Sequence, residues 1–438
     1  MSQEQLLKRA SQVMPAAGFG NFDPSIIIRE GKGSRVWDED GNEFIDYLTG
    51  SGPMILGHGH PEVLDAVSEQ MAKGLTFFAH NARGIELAEE ICRALPCAEQ
   101  VRYTCTGSEA DMYAIRLARA YTQRDTILKF EGGYHGMSAE GQMSLAPERQ
   151  VNFPVAVADS AGIPGSVRDD MLVAPYNDID FARSIMEEMS GTIAAVIVEP
   201  FQRIIPPEPG FLEALREACD AHGSVLIFDE VVTGFRFAYG GAQTLYGVTP
   251  DVCTLGKIIG GGFPLAAIAG KAELMAHFDK EKVGSERFLM QLGTLSGNPL
   301  AAVAGLKTLE ILRRPGQYEK LYKNGETLME GINECLRNNE TTGQVVGHPT
   351  LFDVVFREEA VRNYRDVRSG DHGKAAHFNS TLQANQILKS PGKFYISLAL
   401  TDADLEQTLA AVQLAARQLT HYFINSAIDT RGLTCCNQ

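Results

Sequence analysis

Hydrophobic and polar positions fall into three textures along the chain. Residues 1–13 form a polar amphipathic stretch. Residues 26–48 alternate apolar and polar positions around Asp40-Gly41, the pattern of hairpin strands. From about residue 62, helical periods alternate with short apolar runs, which predicts an α/β fold with a mostly parallel sheet. The pattern is sharpest at 193–229. Ile193–Val198 is apolar throughout and reads as a buried strand. Phe211–His222 carries Leu212, Leu215 and Cys219 at helical spacing, and Gly223 supplies the stop. Val225–Phe228 is a second buried strand, so the stretch predicts a right-handed βαβ unit. Ligands of such sheets bind beyond the carboxyl ends of the strands. Glu199-Pro200 and Asp229-Glu230 stand at those ends, either as polar chemistry or as ordinary strand-ending turns. After residue 310 come a charged helix, Gln317–Arg337, an Asn- and Thr-rich loop at 338–343, a strand Phe394–Leu398 and a closing helix Asp402–Leu419. The textures predict a large domain over 62–310 and a smaller domain built from 1–61 and 311–438.

Composition narrows the class. The 438 residues are 44% hydrophobic and 21% charged, close to the globular average, which excludes a disordered or coiled-coil protein. No run approaches the ~20 apolar residues of a membrane span. The start, MSQEQLLKRASQ, is too polar for a secretory signal and points to the cytoplasm. With 39 basic against 55 acidic residues, the net charge of −16 argues against a nucleic-acid partner. None of the eight cysteines forms a C-x-x-C pair, so they read as reduced thiols and no metal site is expected; Cys435 and Cys436 sit in a polar tail.

Four constellations carry candidate chemistry. Thr106 and Glu109 have capping-box spacing ahead of Met112, Ile115 and Leu117. Gly107 and Ser108 then offer bare backbone N–H groups to an anion or phosphate, or simply open a well-capped helix. In Gly132-Gly133-Tyr134-His135-Gly136, glycines present an aromatic that either stacks on a flat cofactor or covers the core. Lys257, in Thr254-Leu255-Gly256-Lys257-Ile258-Ile259-Gly260-Gly261-Gly262, is a lysine among apolar residues and glycines. Desolvation there frees a nucleophilic amine; the alternative is a lysine snorkelling from a loop. The glycines suggest that something flat or bulky approaches the backbone, and their spacing is not that of a dinucleotide site. Gly293–Pro299 offers hydroxyls to a second phosphate edge, or only leads into a helix at Leu300–Leu312. Together, a phosphate cup, a stacking aromatic, an acid after a buried strand and a desolvated lysine meet the needs of pyridoxal 5′-phosphate. That cofactor takes a lysine on its aldehyde and an acid on its pyridine nitrogen, which makes the ring an electron sink.

Phe228-Asp229-Glu230-Val231-Val232-Thr233-Gly234-Phe235-Arg236, followed by the Lys257 segment, resembles the signature of class III aminotransferases, and the likeness runs from about residue 14 to 420. Gly52–His58, Ala238–Gln243 and Gly293–Pro299 look most like glutamate-1-semialdehyde aminomutases and the related β-amino-acid transaminases. The resemblance implies a fold-type I enzyme, with a large, mostly parallel-sheet α/β domain and a smaller α+β domain built from both termini. It implies Lys257 as the Schiff-base lysine and proton carrier, and Asp229 as the partner of the pyridine nitrogen. Gly107 and Ser108 match the phosphate cup, Tyr134 and Val231 the two faces of the ring. Thr294 matches a threonine that reaches the phosphate of the neighbouring subunit, which implies a homodimer with its active site at the interface. His135 and Glu199 are similar to positions near the cofactor.

Departures from the pattern bear on substrate. Met14–Phe22 holds no arginine for a carboxylate, Gly50-Ser51-Gly52 stands where the aminomutases have Ser-Trp-Gly, and Ser390-Pro391-Gly392-Lys393 stands where β-amino-acid transaminases have Ser-Pro-Arg-Gly. Ser51 is therefore a candidate substrate residue. Arg203 occupies a normally small position, as a replacement clamp or as a rim residue. The expected activity is ping-pong transfer of an amino group from an amine or amino acid to a keto acid or aldehyde. The alternative is the intramolecular transfer of an aminomutase. A site without a clamp should tolerate amines lacking an α-carboxylate, lined by Phe19, Phe22 and Phe77 or Phe78.

Overall fold

Short apolar runs and hairpin signals build two compact units, neither of them a single stretch of sequence. The computed structural model describes residues 2–432; Cys435 and Cys436 lie outside them. One unit takes the chain up to His60, Glu319–Ala360 and the chain from Ser369; the other takes Pro61–Tyr318 and Val361–Arg368. Two boundaries read from sequence are corrected. A break after residue 310 would cut the helix Pro299–Leu312, whose buried face runs to its last residue. The larger unit instead continues to Tyr318, whose hydroxyl donates to the Phe235 carbonyl at 2.8 Å. Residues 361–368 also belong to that unit, although VRNYRDVR reads as a solvated charged stretch. Arg365 forks onto Glu131 at 2.7 and 3.0 Å, and Arg368 donates to the carbonyls of Pro147 and Glu148.

In the smaller unit β1 (Ile28–Lys32), β2 (Arg35–Asp38) and β3 (Glu43–Asp46) form antiparallel pairs. Alternation puts Val36 and Phe44 on one face, where Phe22 joins them with Leu388.

The larger unit is organised by a sheet of seven strands: β4 (Gln100–Thr104), β5 (Thr126–Phe130), β6 (Met171–Ala174), β7 (Ile193–Val198), β8 (Val225–Asp229), β9 (Val252–Leu255) and β10 (Ala266–Gly270). Their order is β4-β10-β9-β8-β7-β5-β6. All neighbours from β9 to β6 are parallel, and β10 alone runs against its neighbours β9 and β4. Strands β7, β8, β9 and β10 are buried at every position, which is why they read as unbroken apolar runs rather than alternating ones. Phe211–His222 is the crossover helix between β7 and β8 and ends at Gly223 with φ 63°. Because β4 runs parallel to β9 across the reversed β10, the carboxyl ends of β4, β5, β7, β8 and β9 share one edge. Each candidate segment of the larger unit except Thr294's turn follows one of those ends.

The smaller unit closes with β11 (Gln344–His348), β12 (Leu351–Val355), β13 (Ile387–Leu388) and β14 (Phe394–Tyr395). β13 adds to β3 in parallel; β11, β12 and β14 form a separate antiparallel sheet. The expected strand Phe394–Leu398 pairs over only two residues, because Leu398 turns to bond the Ile55 carbonyl instead. The last helix runs Asp402–Gly432, past the predicted end at Leu419.

Candidate active site

The end of β4 passes into the helix Gly107–Thr122 through the capping box the spacing predicts. Thr106 Oγ1 accepts from Glu109 N–H at 3.2 Å, and Glu109 Oε2 accepts from the N–H groups of Thr106 and Cys105 at 3.0 and 2.8 Å. Those bonds satisfy the third donor of the helix and leave the N–H groups of Gly107 and Ser108 with no partner among the described residues, facing outward at the positive end of the helix. Gly107 packs closely on Val231: a Cβ there would meet Val231 Cγ1 at 3.0 Å and push that side chain aside by a few tenths of an ångström. Gly136, with φ +76°, lets the next loop touch this helix start, since a Cβ would stand 2.5 Å from Ser108 Cα. Ser108 Oγ ties the two together by accepting from Met137 N–H at 3.2 Å.

That loop follows β5. Gly132, at φ +83°, has the Tyr364 side chain where a Cβ would be, 2.6 Å away. Tyr134 stands 37% exposed, and its N–H donates to Glu199 Oε2 at 2.8 Å. Glu199, at the end of β7, thus fixes the loop. His135 turns inward and is buried; Nδ1 lies 2.9 Å from Asp229 Oδ2 and so donates to it. His135 Nε2 is buried without a partner among the described residues.

The sequence reading missed Lys129, which underlies this loop. It is fully buried on β5, and Nζ donates to the carbonyls of Gly133 (3.3 Å), Gly141 (3.1 Å) and Met143 (2.5 Å). The available signal was a lysine inside the apolar run Thr126–Phe130, just ahead of Gly132-Gly133. Burial, helped by repulsion from Arg203, pulls its ammonium down to about 7. An unfolded lysine titrates near ~10.4, so between those pH values the unfolded chain binds more protons than the folded one. Stability from this group therefore rises as pH climbs from about 7 toward 10 and is lost as pH falls back. Lys129→Met should remove that slope. Urea unfolding of parent and variant across pH 7–10 tests this; identical slopes would refute it.

Asp229 and Glu230, adjacent after β8, part company. Asp229 is buried and its Oδ1 accepts from Val231 N–H at 3.1 Å. Glu230 turns away to cap the helix Gly241–Tyr246, accepting from Ala242 N–H at 2.6 Å, Gln243 N–H at 3.3 Å and the Thr233 hydroxyl at 2.9 Å. Burial raises its carboxyl above the ordinary range. A second residue the sequence reading missed, Asp111, is also buried here; the Thr254 hydroxyl on β9 lies 2.6 Å from Asp111 Oδ1 and 3.4 Å from Asp229 Oδ1. Its only sequence signal was an acid one turn before Ile115 on the apolar face of a helix.

Lys257 follows β9 in a short 3-10 turn, Lys257–Gly260, with left-handed φ of 49°. It is partly exposed. Of the glycines after it, Gly261 (φ +55°) admits the backbone of the helix Pro299–Leu312, with Ala304 C at 2.6 Å from a Cβ position, and Gly260 faces Leu265. Packing against that helix accounts for Gly261.

The other candidates are more dispersed. Val231 is partly exposed beside Gly107 and Gly256. Arg203 (φ 63°) donates from Nε to the Gly132 carbonyl at 3.0 Å and lays its guanidinium over the Tyr134 ring, 4.9 Å from the centroid. Thr294 is exposed on the turn that Asn298 converts into a helix by accepting from Ala301 N–H. Ser51 belongs to the smaller unit, exposed, with φ 66°. Phe22 packs, partly buried, against the smaller unit's Val36, Phe44 and Leu388; Phe19, Phe77 and Phe78 are exposed. Among the described residues, no helix is long and apolar enough to cross a membrane.

An architecture of this kind is that of transaminases. An ω-transaminase from Sphaerobacter thermophilus, 35% identical, matches with a TM-score of 0.89 over 96% of this chain and 98% of its own. A β-phenylalanine aminotransferase from Variovorax paradoxus, 33% identical, matches at 0.82 over 94% and 92%. In sequence, glutamate-1-semialdehyde 2,1-aminomutase 2 of Brevibacillus brevis is 42% identical over 402 residues, 90% of this chain and 91% of that protein. The chain belongs to the class III aminotransferases, whose family model matches residues 19–415. It is an enzyme of that class, and its cofactor is pyridoxal 5′-phosphate. The strand ends fit that group: two unpartnered N–H donors suit a phosphate, and the buried His135 and Asp229 suit a protonated ring nitrogen.

Proposed function

We propose that this enzyme is a transaminase that moves an amino group from an amine or amino acid to a keto acid or aldehyde in two half-reactions. The observation that carries the choice is the substrate end: no arginine lies in Met14–Phe22, and Gly50-Ser51-Gly52 lacks the tryptophan of the aminomutase pattern. Intramolecular amine transfer of the aminomutase kind is the second reading, favoured by the 42% identity to the Brevibacillus protein.

When bound, the cofactor supplies an electron sink for the carbanion at the substrate carbon bearing nitrogen. The chain supplies the rest. The N–H groups of Gly107 and Ser108 hold the phosphate at the helix start. Tyr134 and Val231 confine the ring between them, and Glu199 holds Tyr134 by its backbone. Asp229 keeps the proton on the pyridine nitrogen, oriented by His135 and by Val231 N–H. Lys257 carries the amine and moves the proton at the substrate carbon. Ser51 borders the substrate, and Thr294 serves the phosphate of a second subunit in a homodimer. Exposed Leu75, Phe77 and Phe78 give such a dimer apolar surface. The cysteines, with no C-x-x-C spacing among them, suit a reducing compartment such as the cytoplasm.

The test is a half-reaction screen: load the protein with cofactor, add amines and amino acids singly, and follow conversion of the bound cofactor's visible band. Arylalkyl or aliphatic amines without a carboxylate should react. If they do not while glutamate-1-semialdehyde does, the aminomutase reading takes over. The terminal nitrogens of Arg203 are the proposed carboxylate site for the keto acid. Arg203→Ala should raise the keto-acid KM about tenfold or more, as loss of a charged hydrogen bond does, and leave the amine KM unchanged. An unchanged keto-acid KM would confine Arg203 to holding Tyr134.

A further inference from the structure

Asp111, on the helix Gly107–Thr122, sits in direct line with Asp229 through one hydroxyl. The two carboxyls are 2% and 4% exposed and Thr254 is fully buried. Thr254 Oγ1 lies 2.6 Å from Asp111 Oδ1 and 3.4 Å from Asp229 Oδ1. A threonine hydroxyl has one proton and cannot donate to two ionised carboxylates at once. With both ionised, one of the oxygen contacts would set lone pair against lone pair in a site closed to water. One further proton removes the conflict. Asp229 already has a donor on each oxygen, Val231 N–H at 3.1 Å and His135 Nδ1–H at 2.9 Å. Asp111 has no such donor besides Thr254 among the described residues, so the proton belongs there. The 2.6 Å contact is then Asp111 O–H donating to Thr254 Oγ1, within the normal range of an O–H···O bond.

We propose that Asp111 is a positioning residue for the reaction: held as the neutral acid, it donates to Thr254 and so turns the Thr254 hydroxyl proton onto Asp229, keeping the charge on the residue that faces the cofactor's ring nitrogen. This rests on the reading of Asp229 given above. Burial first, and then the charge of Asp229, raise the Asp111 carboxyl well above the ordinary carboxylate range. The groups that face it from the neighbouring elements are Asp229 after β8, Glu199 after β7, Thr254 on β9 and Lys257 beyond it. Glu199 adds to the rise, while Lys257 and the Thr254 hydroxyl oppose it.

The experiment reads the proton itself, in protein free of cofactor. Infrared difference spectra at neutral pH should show the carbonyl stretch of a buried protonated carboxyl, shifted in heavy water and absent from Asp111→Asn. In Asp229→Asn the band should titrate away at lower pH, since the neighbouring charge is gone. In the loaded enzyme, Thr254→Val and Asp111→Leu should each lower kcat about tenfold with the amine KM unchanged, and together no further, because they break one chain of bonds. Asp111→Asn, whose amide can still donate to Thr254, should recover most of that loss. A missing band, or one that survives Asp111→Asn, overturns the proposal, as does an Asp111→Asn variant no better than Asp111→Leu. Should Asp111→Leu not fold, Thr254→Val and the band decide. Normal catalysis by Asp229→Asn would instead strike at the reading of Asp229, with the band of Asp111 unaffected as evidence for where the proton sits.

Discussion

Lys257→Ala is expected to give a folded protein whose turnover falls by about four orders of magnitude or more. One side chain carries both the covalent attachment and the proton transfer, and general acid–base work alone contributes about 10²- to 10⁴-fold. Lys129 on β5 cannot substitute, because its Nζ is committed to the carbonyls of Gly133, Gly141 and Met143. Folding should survive because Lys257 already holds a left-handed φ of 49°, and alanine takes that strain no worse than lysine. The phosphate cup at Gly107 and Ser108 is untouched, so the variant should still retain cofactor without a covalent link. Single-turnover amine conversion, with circular dichroism as the folding control, makes the measurement. A soluble variant that transaminates normally rules out the assignment.

Asp229→Asn should fold, keep part of its cofactor and slow proton removal from the substrate by two to three orders of magnitude. Preorganised electrostatic stabilisation of this kind is worth about 3–4 kcal/mol per group, and each ~1.4 kcal/mol is tenfold in rate. The local bonds sharpen the expectation. Asp229 accepts from Val231 N–H through one oxygen and from His135 Nδ1 through the other. An amide has one oxygen, so asparagine must either set its NH₂ against one of those donors or drive His135 into its other tautomer, with the proton on Nε2. It also cannot hold a positive charge on the ring nitrogen. The single-turnover rate of the amine half-reaction decides the matter, since a rate equal to the parent's removes the pyridine-nitrogen role.

Local rules made much of the chain legible. The crossover helix Phe211–His222 and the strands β7 and β8 follow from apolar runs, a 3.6 period and a terminal glycine, all of which act between near neighbours. The capping box of Thr106 and Glu109 is likewise a four-residue matter, settled by which atoms can reach the first N–H groups of a helix. The family, and with it the cofactor, was readable because the Phe228–Arg236 signature and the Lys257 segment stand in order along the chain.

What sequence could not decide were contacts between strand ends far apart in the chain. Asp111, Asp229 and Thr254 meet only because β4, β8 and β9 present their carboxyl ends at one edge, an outcome of the strand order β4-β10-β9-β8-β7-β5-β6 and the single reversed strand. Glu230 stood beside Asp229 as candidate chemistry in sequence, and Lys129, a lysine in an apolar strand, was passed over. Only the fold shows one holding three loop carbonyls and the other capping a helix, because burial forces each polar group to find whatever partner lies nearest in space. The same holds for Gly261, whose missing Cβ is dictated by a helix that begins 38 residues later at Pro299. Period determined the elements and the α/β class, and the residue constellations with the family signature the kind of chemistry; which buried side chains hold the site and which merely close the fold was decided by the three-dimensional neighbours that satisfy them.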